Sequence, residues 1–167
     1  DWSSDVCSSD LNEGKWRART SAHVVAELKY LEEHGYGSVY FVDDHFLLQP
    51  KRIEAICQGV TDAKLTIQWG IEGRVDSVAQ HLFPAMAKAH CRTVMFGIES
   101  GSQKILDRLK KEQTLAEVTT AVKNAKQAGI EIVHGFFTVG NPDETVEDMK
   151  DRKSTRLNSR HGALSRM

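Results

Sequence analysis

Thr93-Val94-Met95-Phe96-Gly97-Ile98-Glu99-Ser100-Gly101-Ser102 holds the pattern that decides the fold. Thr93 to Phe96 reads as a strand, and the residues behind it are chosen for contact: two glycines let backbone approach a ligand closely, and Glu99 can accept hydrogen bonds from sugar hydroxyls or an amine. The same unit, a strand followed by a polar end and then a helix, repeats on both sides. Upstream, Thr20 or Ser21 caps a helix carrying Val24, Val25, Leu28 and Leu31, which Gly35 and Gly37 end. Val39 to Val42 is a first strand, and Pro50 opens a helix with Ile53, Ile56 and Val60. Leu65 to Trp69 reads as a second strand, followed by a helix through Val78, Leu82, Phe83 and Met86 that Pro84 bends or breaks.

Downstream, Ile105, Leu106 and Leu109 make a short helix, and Thr114 to Glu117 is a capping box opening a longer one through Val118, Val122 and Ala125. Gly129 stops it, Ile130 to Phe137 is a fourth strand, and Thr145 to Met149 begins another helix. Strands alternating with helices predict an α/β class with parallel pairing and right-handed crossovers. A barrel and an open sheet both fit, and in both the chemistry lies just past the carboxyl ends of the strands.

With 22 Lys plus Arg against 23 Asp plus Glu, the 167 residues carry no electrostatic footprint for nucleic acid or an acidic membrane. No apolar run approaches the roughly 20 residues of a membrane span, and a cytoplasmic location is expected. Both ends look foreign. Ser8-Ser9-Asp10-Leu11 and Asp151-Arg152-Lys153 can be encoded by one stretch of DNA read in opposite directions, as a sequencing adaptor would be, so residues 1–11 and 151–167 are expected to be non-native flanks around a unit at 12–150. Cys7 falls in the first flank. Cys57 and Cys91 have no C-x-x-C spacing and read as buried single thiols.

Four strand ends carry candidate groups. Asp43 and Asp44 follow the first strand and can bind a divalent cation or hold an ammonium group, or serve a turn. Arg74, after the second, can fork onto a carboxylate or pair with Asp76. Glu99 and Ser100 follow the third. Asn141-Pro142 after the fourth starts a turn, with Asp143 or Glu144 at the next helix N-terminus. His134, inside the last strand, reads as a satisfied core histidine rather than a ligand.

In order, Trp16-Arg17-Ala18-Arg19, Phe41-Val42-Asp43-Asp44-His45-Phe46, Trp69 through Arg74, Val94 through Ser102 and Gly140-Asn141-Pro142-Asp143-Glu144-Thr145 resemble the radical S-adenosylmethionine (SAM) core of enzymes that often carry an N-terminal cobalamin-binding domain. The resemblance implies a partial (β/α)6, TIM-like barrel that begins after its first strand. It implies a [4Fe-4S] cluster, held elsewhere by a Cys-x-x-x-Cys-x-x-Cys loop, at which SAM is reductively cleaved to methionine and a 5'-deoxyadenosyl radical. It leaves cobalamin open as a further cofactor, and implies a small-molecule or biosynthetic-intermediate substrate and a reductant protein. Position by position, Asp43 and Asp44 match the group that meets the SAM amino end, Arg74 a partner for its carboxylate, and Glu99 with Ser100 the ribose region. The Gly140 to Thr145 loop falls on the adenine side. The sequence departs from the family twice: the cysteine triplet is missing, which implies a catalytically inactive chain with no cluster of its own, and His90 stands where Ala-Gly-Cys commonly has a helix-ending glycine. A different chemistry, a small metal-dependent α/β hydrolase or aldolase using Asp43, Asp44, Glu72 and Glu99, requires those carboxylates to converge on one point.

Overall fold

In the computed structural model, residues 18–43, 46–141 and 144–149 are described. Both expected flanks, together with Asp44, His45, Pro142 and Asp143, lie outside them. Thr20 Oγ1 accepts the His23 N–H and starts α1 (Ser21–Glu33), which gives way to Gly35 at φ +84°. The chain then makes β1 (Ser38–Phe41), a 3-10 turn (Phe46–Leu48), and α2 (Pro50–Asp62), whose first turn holds the proline that lacks the N–H this position does not need. β2 (Gln68–Gly73) leads into a 3-10 turn (Val78–Leu82) and α3 (Phe83–Lys88), so Pro84 marks a break, not a bend. β3 (Cys91–Glu99), α4 (Gln103–Arg108), α5 (Leu115–Gln127) and β4 (Ile132–Phe137) complete the order. Thr114 and Glu117 form the reciprocal capping box at the start of α5.

The four strands pair in the order β1-β2-β3-β4, every pair parallel. Sequential order with crossovers of one hand sends each connecting helix to the same side, a layering that an open sheet and a barrel wall share. Burial bears this out. Trp69 and Ile71 of β2 and Val94, Phe96 and Ile98 of β3 are closed over by Leu28, Leu47, Ile53, Ile56, Phe83 and Met86 from the helical layer. Each such side chain removed from water contributes about 1.5–3 kcal/mol. Trp69, sealed in the core, satisfies its indole by donating Nε1–H to the Ala89 carbonyl at 2.5 Å. The opposite face, the concave one if the sheet curls as a barrel wall does, is formed by the alternate residues.

Two strands run further than the sequence reading placed them. β2 starts at Gln68, not Leu65, and includes Gly70 to Gly73; β3 continues through Gly97, Ile98 and Glu99. Both are interior strands with a partner on each side, so ladder hydrogen bonds outweigh the poor strand propensity of Gly and Glu. His134 also differs from expectation. It is exposed on the concave side of β4 and is not a core residue, because the core-facing places on that strand belong to Val133 and Phe137.

Candidate functional site

Glu99, the last residue of β3, has φ +69°. A non-glycine residue in the left-handed region costs of order 1 kcal/mol and persists only where surrounding contacts hold it. Here Thr138 and Lys111 hold it. The Thr138 N–H donates to the Glu99 carbonyl at 2.9 Å and Thr138 Oγ1 donates to Oε2 at 2.7 Å, tying β3 to the end of β4 where the register shifts. Lys111 Nζ lies 2.9 Å from Oε1. A Cβ added at Gly97 would stand 3.3 Å from Glu99 Oε1 and 3.9 Å from Lys111 Nζ, so both charged heads lie over that bare glycine, on the concave side. Burial alone would push the Glu99 carboxyl up; the hydrogen bonds from Lys111 and Thr138 outweigh it and hold the group below its ordinary value of 4.5.

Lys111 is a partner of Glu99 that the sequence does not announce. It sits between Lys110 at φ +51° and Glu112 at φ +47°, a loop that would be unfavourable without an anchor. Gln113 supplies the anchor: nearly buried, it donates Nε2–H to the carbonyls of Ile98 at 2.8 Å and Gly97 at 3.3 Å. Gln103 closes the loop from the other side by accepting the Leu115 N–H and donating to the Gln113 carbonyl.

Ser100 is fully buried behind Glu99, its hydroxyl accepting the Ser102 N–H. Ser102 Oγ in turn donates to Asp148 Oδ1 at 2.8 Å, and Asp148 accepts the Thr145 N–H and hydroxyl through its other oxygen, which brings its carboxyl down to about 2. The turn after β4 is organised by Glu144, whose Oε2 accepts the N–H groups of Gly140 and Asn141. Of the remaining expected residues, Asp43 is exposed two residues past β1, and Asp44 lies outside the described residues. Arg74 stands just past β2 and is forked onto Asp76, Nε to Oδ1 at 3.0 Å and Nη2 to Oδ2 at 2.8 Å. The structure thus brings Glu99 together with Ser100, Lys111 and Thr138, while Arg74 is engaged locally.

Among the described residues no three His, Cys, Asp or Glu side chains come together as a metal-holding group, so Asp43, Glu72 and Glu99 do not form the converging carboxylates that metal-dependent hydrolase or aldolase chemistry needs. Cys57 and Cys91 are buried free thiols whose protons are held on by desolvation, Cys57 being pushed up to about 12. Neither can serve as an exposed thiolate ligand to a cluster. No helix among the described residues is long and apolar enough to cross a membrane.

This wall of parallel strands with a polar end is found elsewhere. The chain is 38% identical over 146 residues to an uncharacterised methyltransferase of Pyrococcus horikoshii, covering 86% of the chain and 32% of that protein. It is 29% identical over 139 residues to an anaerobic magnesium-protoporphyrin IX monomethyl ester cyclase of Rubrivivax gelatinosus, covering 81% and 25%. Among solved structures, the cobalamin-dependent S-adenosylmethionine radical enzyme OxsB, with aqua-cobalamin and S-adenosylmethionine bound, superposes with a TM-score of 0.75 at 19% identity, over 85% of this chain and 23% of that one. The radical S-adenosylmethionine methyltransferase TsrM from Kitasatospora setae, with cobalamin and a [4Fe-4S] cluster bound, gives 0.76 at 16%, over 87% and 30%. The chain therefore spans about a third or less of the length of these proteins. The Radical SAM superfamily model matches residues 5–153, and the chain belongs to that superfamily.

Proposed function

We propose that this chain forms the SAM-facing part of an enzyme that cleaves SAM reductively to start radical chemistry on a small molecule, with methyl transfer or ring formation as the reaction classes its relatives' names suggest. The observation that carries the proposal is Glu99, held in a left-handed conformation over the bare backbone of Gly97 with its carboxylate oriented by Lys111 and Thr138. An ionised carboxylate fixed at the rim of a parallel sheet suits the two hydroxyls of a ribose, and its oxygens retain lone pairs beyond those that Lys111 and Thr138 occupy. Ser100 and Ser102 brace the loop behind it. Asp43 and Asp44 are assigned the amino group and Arg74 the carboxylate of the amino-acid end, which requires Arg74 to leave Asp76. Exchanging one exposed ion pair for another carries little net cost. Bound SAM would supply the carbon–sulfur bond whose cleavage begins the reaction.

The residues of this chain do not fit the iron–sulfur cluster. Its three cysteines stand at 7, 57 and 91; Cys57 on α2 and Cys91 on β3 are both sealed in the core between sheet and helices. Cluster binding needs several soft thiolates at one point, so the isolated chain is assigned SAM contacts without SAM cleavage. No described residue is assigned to cobalamin. The assignment carries with it a reductant protein for the whole enzyme and a cytoplasmic setting, in which lone thiols stay reduced.

Titrating the isotopically labelled chain with S-adenosylhomocysteine tests the site. The amide signals of Gly97, Gly101 and Gly140 should shift, and Glu99→Ala should weaken binding about tenfold or more, the cost of losing hydrogen bonds to a charged group. Shifts confined to other regions would remove the assignment. Anaerobic reconstitution with iron and sulfide should yield neither cluster absorbance nor methionine release from SAM, and either signal would refute the inactivity of the chain.

A further inference from the structure

Deeper in the wall, Glu72 of β2, Met95 of β3 and His134 of β4 are register partners and make one row across the concave face. With neighbouring strands roughly 4.8 Å apart, the row is about 10 Å long. Glu72 and Met95 are half-buried and His134 is exposed, as is Phe136, two residues along the same side of β4. The row therefore has a carboxylate at one end, an imidazole at the other, and a thioether beside an aromatic ring as its floor.

The carboxylate end is built by its neighbours. Tyr40 of β1 lies across β2, and a Cβ added at Gly70 would fall 2.8 Å from the Tyr40 ring and 2.9 Å from Thr93 Cβ. Only a residue without a side chain lets the ring pass there and reach Glu72. Burial, then the charge of Glu72 and a hydrogen bond to it, push the Tyr40 phenol up to about 12. The phenol keeps its proton and its O–H donates a hydrogen bond to the carboxylate. A carboxylate offers about four lone-pair positions, and Tyr40 takes one. Among the described residues Glu72 has no cationic partner, although Glu99 and Asp76 have theirs in Lys111 and Arg74. A half-buried carboxylate answered, among the described residues, by a neutral phenol keeps acceptor positions open to a cation or an N–H donor.

We propose that this row is the subsite for the substrate's own body, taking a ligand with a flat apolar portion over Met95 and Phe136 and an ammonium or other N–H donor against Glu72, and rejecting ligands with an anionic group at that end. It rests on the radical SAM assignment only for calling the occupant a substrate. Glu72, Met95 and His134 do not include Glu99, whose head lies one row further along, over Gly97, the register partner of Phe136.

Two probes that share an indole body separate the outcomes: tryptamine, with an ethylammonium arm, and indole-3-propionate, with a carboxylate arm. The chain has four methionines, so methyl-labelled methionine gives resolvable signals, with Met86 in the sealed core as an internal control. Tryptamine should move the Met95 methyl signal, leave Met86 in place, and bind about tenfold more tightly than indole-3-propionate, as a charge-assisted hydrogen bond implies. In Glu72→Gln the two probes should bind within about twofold of each other. Equal binding of both by the unaltered chain, no movement of Met95 with either, or a preference that survives Glu72→Gln overturns the proposal. Should Glu72→Gln fail to fold, Tyr40→Phe serves in its place: it leaves the carboxylate intact and should keep the preference for tryptamine, and loss of that preference counts against the subsite. S-adenosylhomocysteine titrated into the same sample reports on the strand ends separately. Its failure alongside a preserved tryptamine preference would sink the strand-end assignment alone, and the reverse would sink only the subsite.

Discussion

The two faces of this sheet are made from the same four strands, yet they carry different kinds of residue and answer to different physics. On the helix-covered face stand Trp69, Ile71, Val94, Phe96 and Ile98, all closed to solvent. On the concave face, one residue along in each case, stand Gly70, Glu72, Thr93, Met95 and Gly97, followed on β4 by His134 and Phe136. The first set is selected for volume and hydrophobicity, because each member loses its water on folding. The second set is held in place by the first and is free to carry polar heads, bare backbone and a strained terminal residue. Stability is concentrated on one side and polar or bare positions on the other, with Glu99 at the lip between them.

Paired truncations break or confirm that division most directly. Phe96 is completely buried and packs edge-on to Phe83, with ring centroids 6.4 Å apart. Phe96→Ala should lose about 3–5 kcal/mol, the usual cost of removing a buried phenylalanine and leaving a cavity. Phe136, 47% exposed, should lose about 1 kcal/mol on the same change. Urea unfolding midpoints of the two variants measure the contrast. Equal losses would mean that the concave face is covered in solution and that the division is wrong.

The helical layer was legible because its signals are local. Thr20, Pro50, Thr114 with Glu117, and Gly129 each act within one helical turn, and each does in the structure what its chemistry implies. The concave face was less legible. Gly70 to Gly73 and Gly97 to Glu99 look like loops by composition, and they are strands only because partners on both sides supply hydrogen bonds that the residues themselves do not advertise. That misplacement put Glu72 past the sheet when it is part of the wall. His134 was misread for a related reason. Ile132 to Phe137 is apolar nearly throughout and looks like a strand covered on both sides, whereas only Val133 and Phe137 meet the helices. Lys111 gave no signal, since its place depends on two left-handed neighbours and on Gln113 binding carbonyls sixteen and fifteen residues earlier in the chain. Glu99 was legible as a polar group at a strand end, but not as a strained one.

The lip between the faces can be tested through pH. Glu99 is a carboxylate held below its ordinary value in the folded chain, so its contribution to stability is present above that ordinary value and is lost as pH falls through the folded one. Lys111→Met removes the charged hydrogen-bond donor and leaves burial, opposed by Thr138 alone, to act on the carboxyl. The variant should lose on the order of 1 kcal/mol at neutral pH, a modest figure because the lysine side chain is 35% exposed and screened by solvent. Its acid-side decline should begin at higher pH than in the unaltered chain, and the two curves should meet where Glu99 is protonated in both. Urea midpoints taken from neutral pH downward would show this. Parallel curves would mean that Lys111 is a surface charge with no hold on the site.

His90 offers the smallest effect and concerns the covered side alone. It follows α3 with φ +67°, its N–H donating to the Ala87 carbonyl and its own carbonyl accepting the Trp69 N–H that starts β2 against β3. This is the left-handed position at which helices usually place glycine, since a Cβ there meets the preceding backbone. Histidine tolerates the conformation at a cost of about 1 kcal/mol, and glycine would relieve it while adding conformational freedom to the unfolded chain. The two contributions oppose each other, and the relief is the larger, so His90→Gly should raise stability by about 0.5 kcal/mol. It should leave S-adenosylhomocysteine binding unchanged, because His90 lies at the amino end of β3 and Glu99 at the carboxyl end, eight residues further along the strand from Cys91. A rise in melting temperature with unaltered binding would confirm that this departure from the family pattern costs stability alone. A change in binding would show that strain at the foot of β3 is transmitted along the strand to its tip, and the separation of stability from chemistry would then fail along β3 itself.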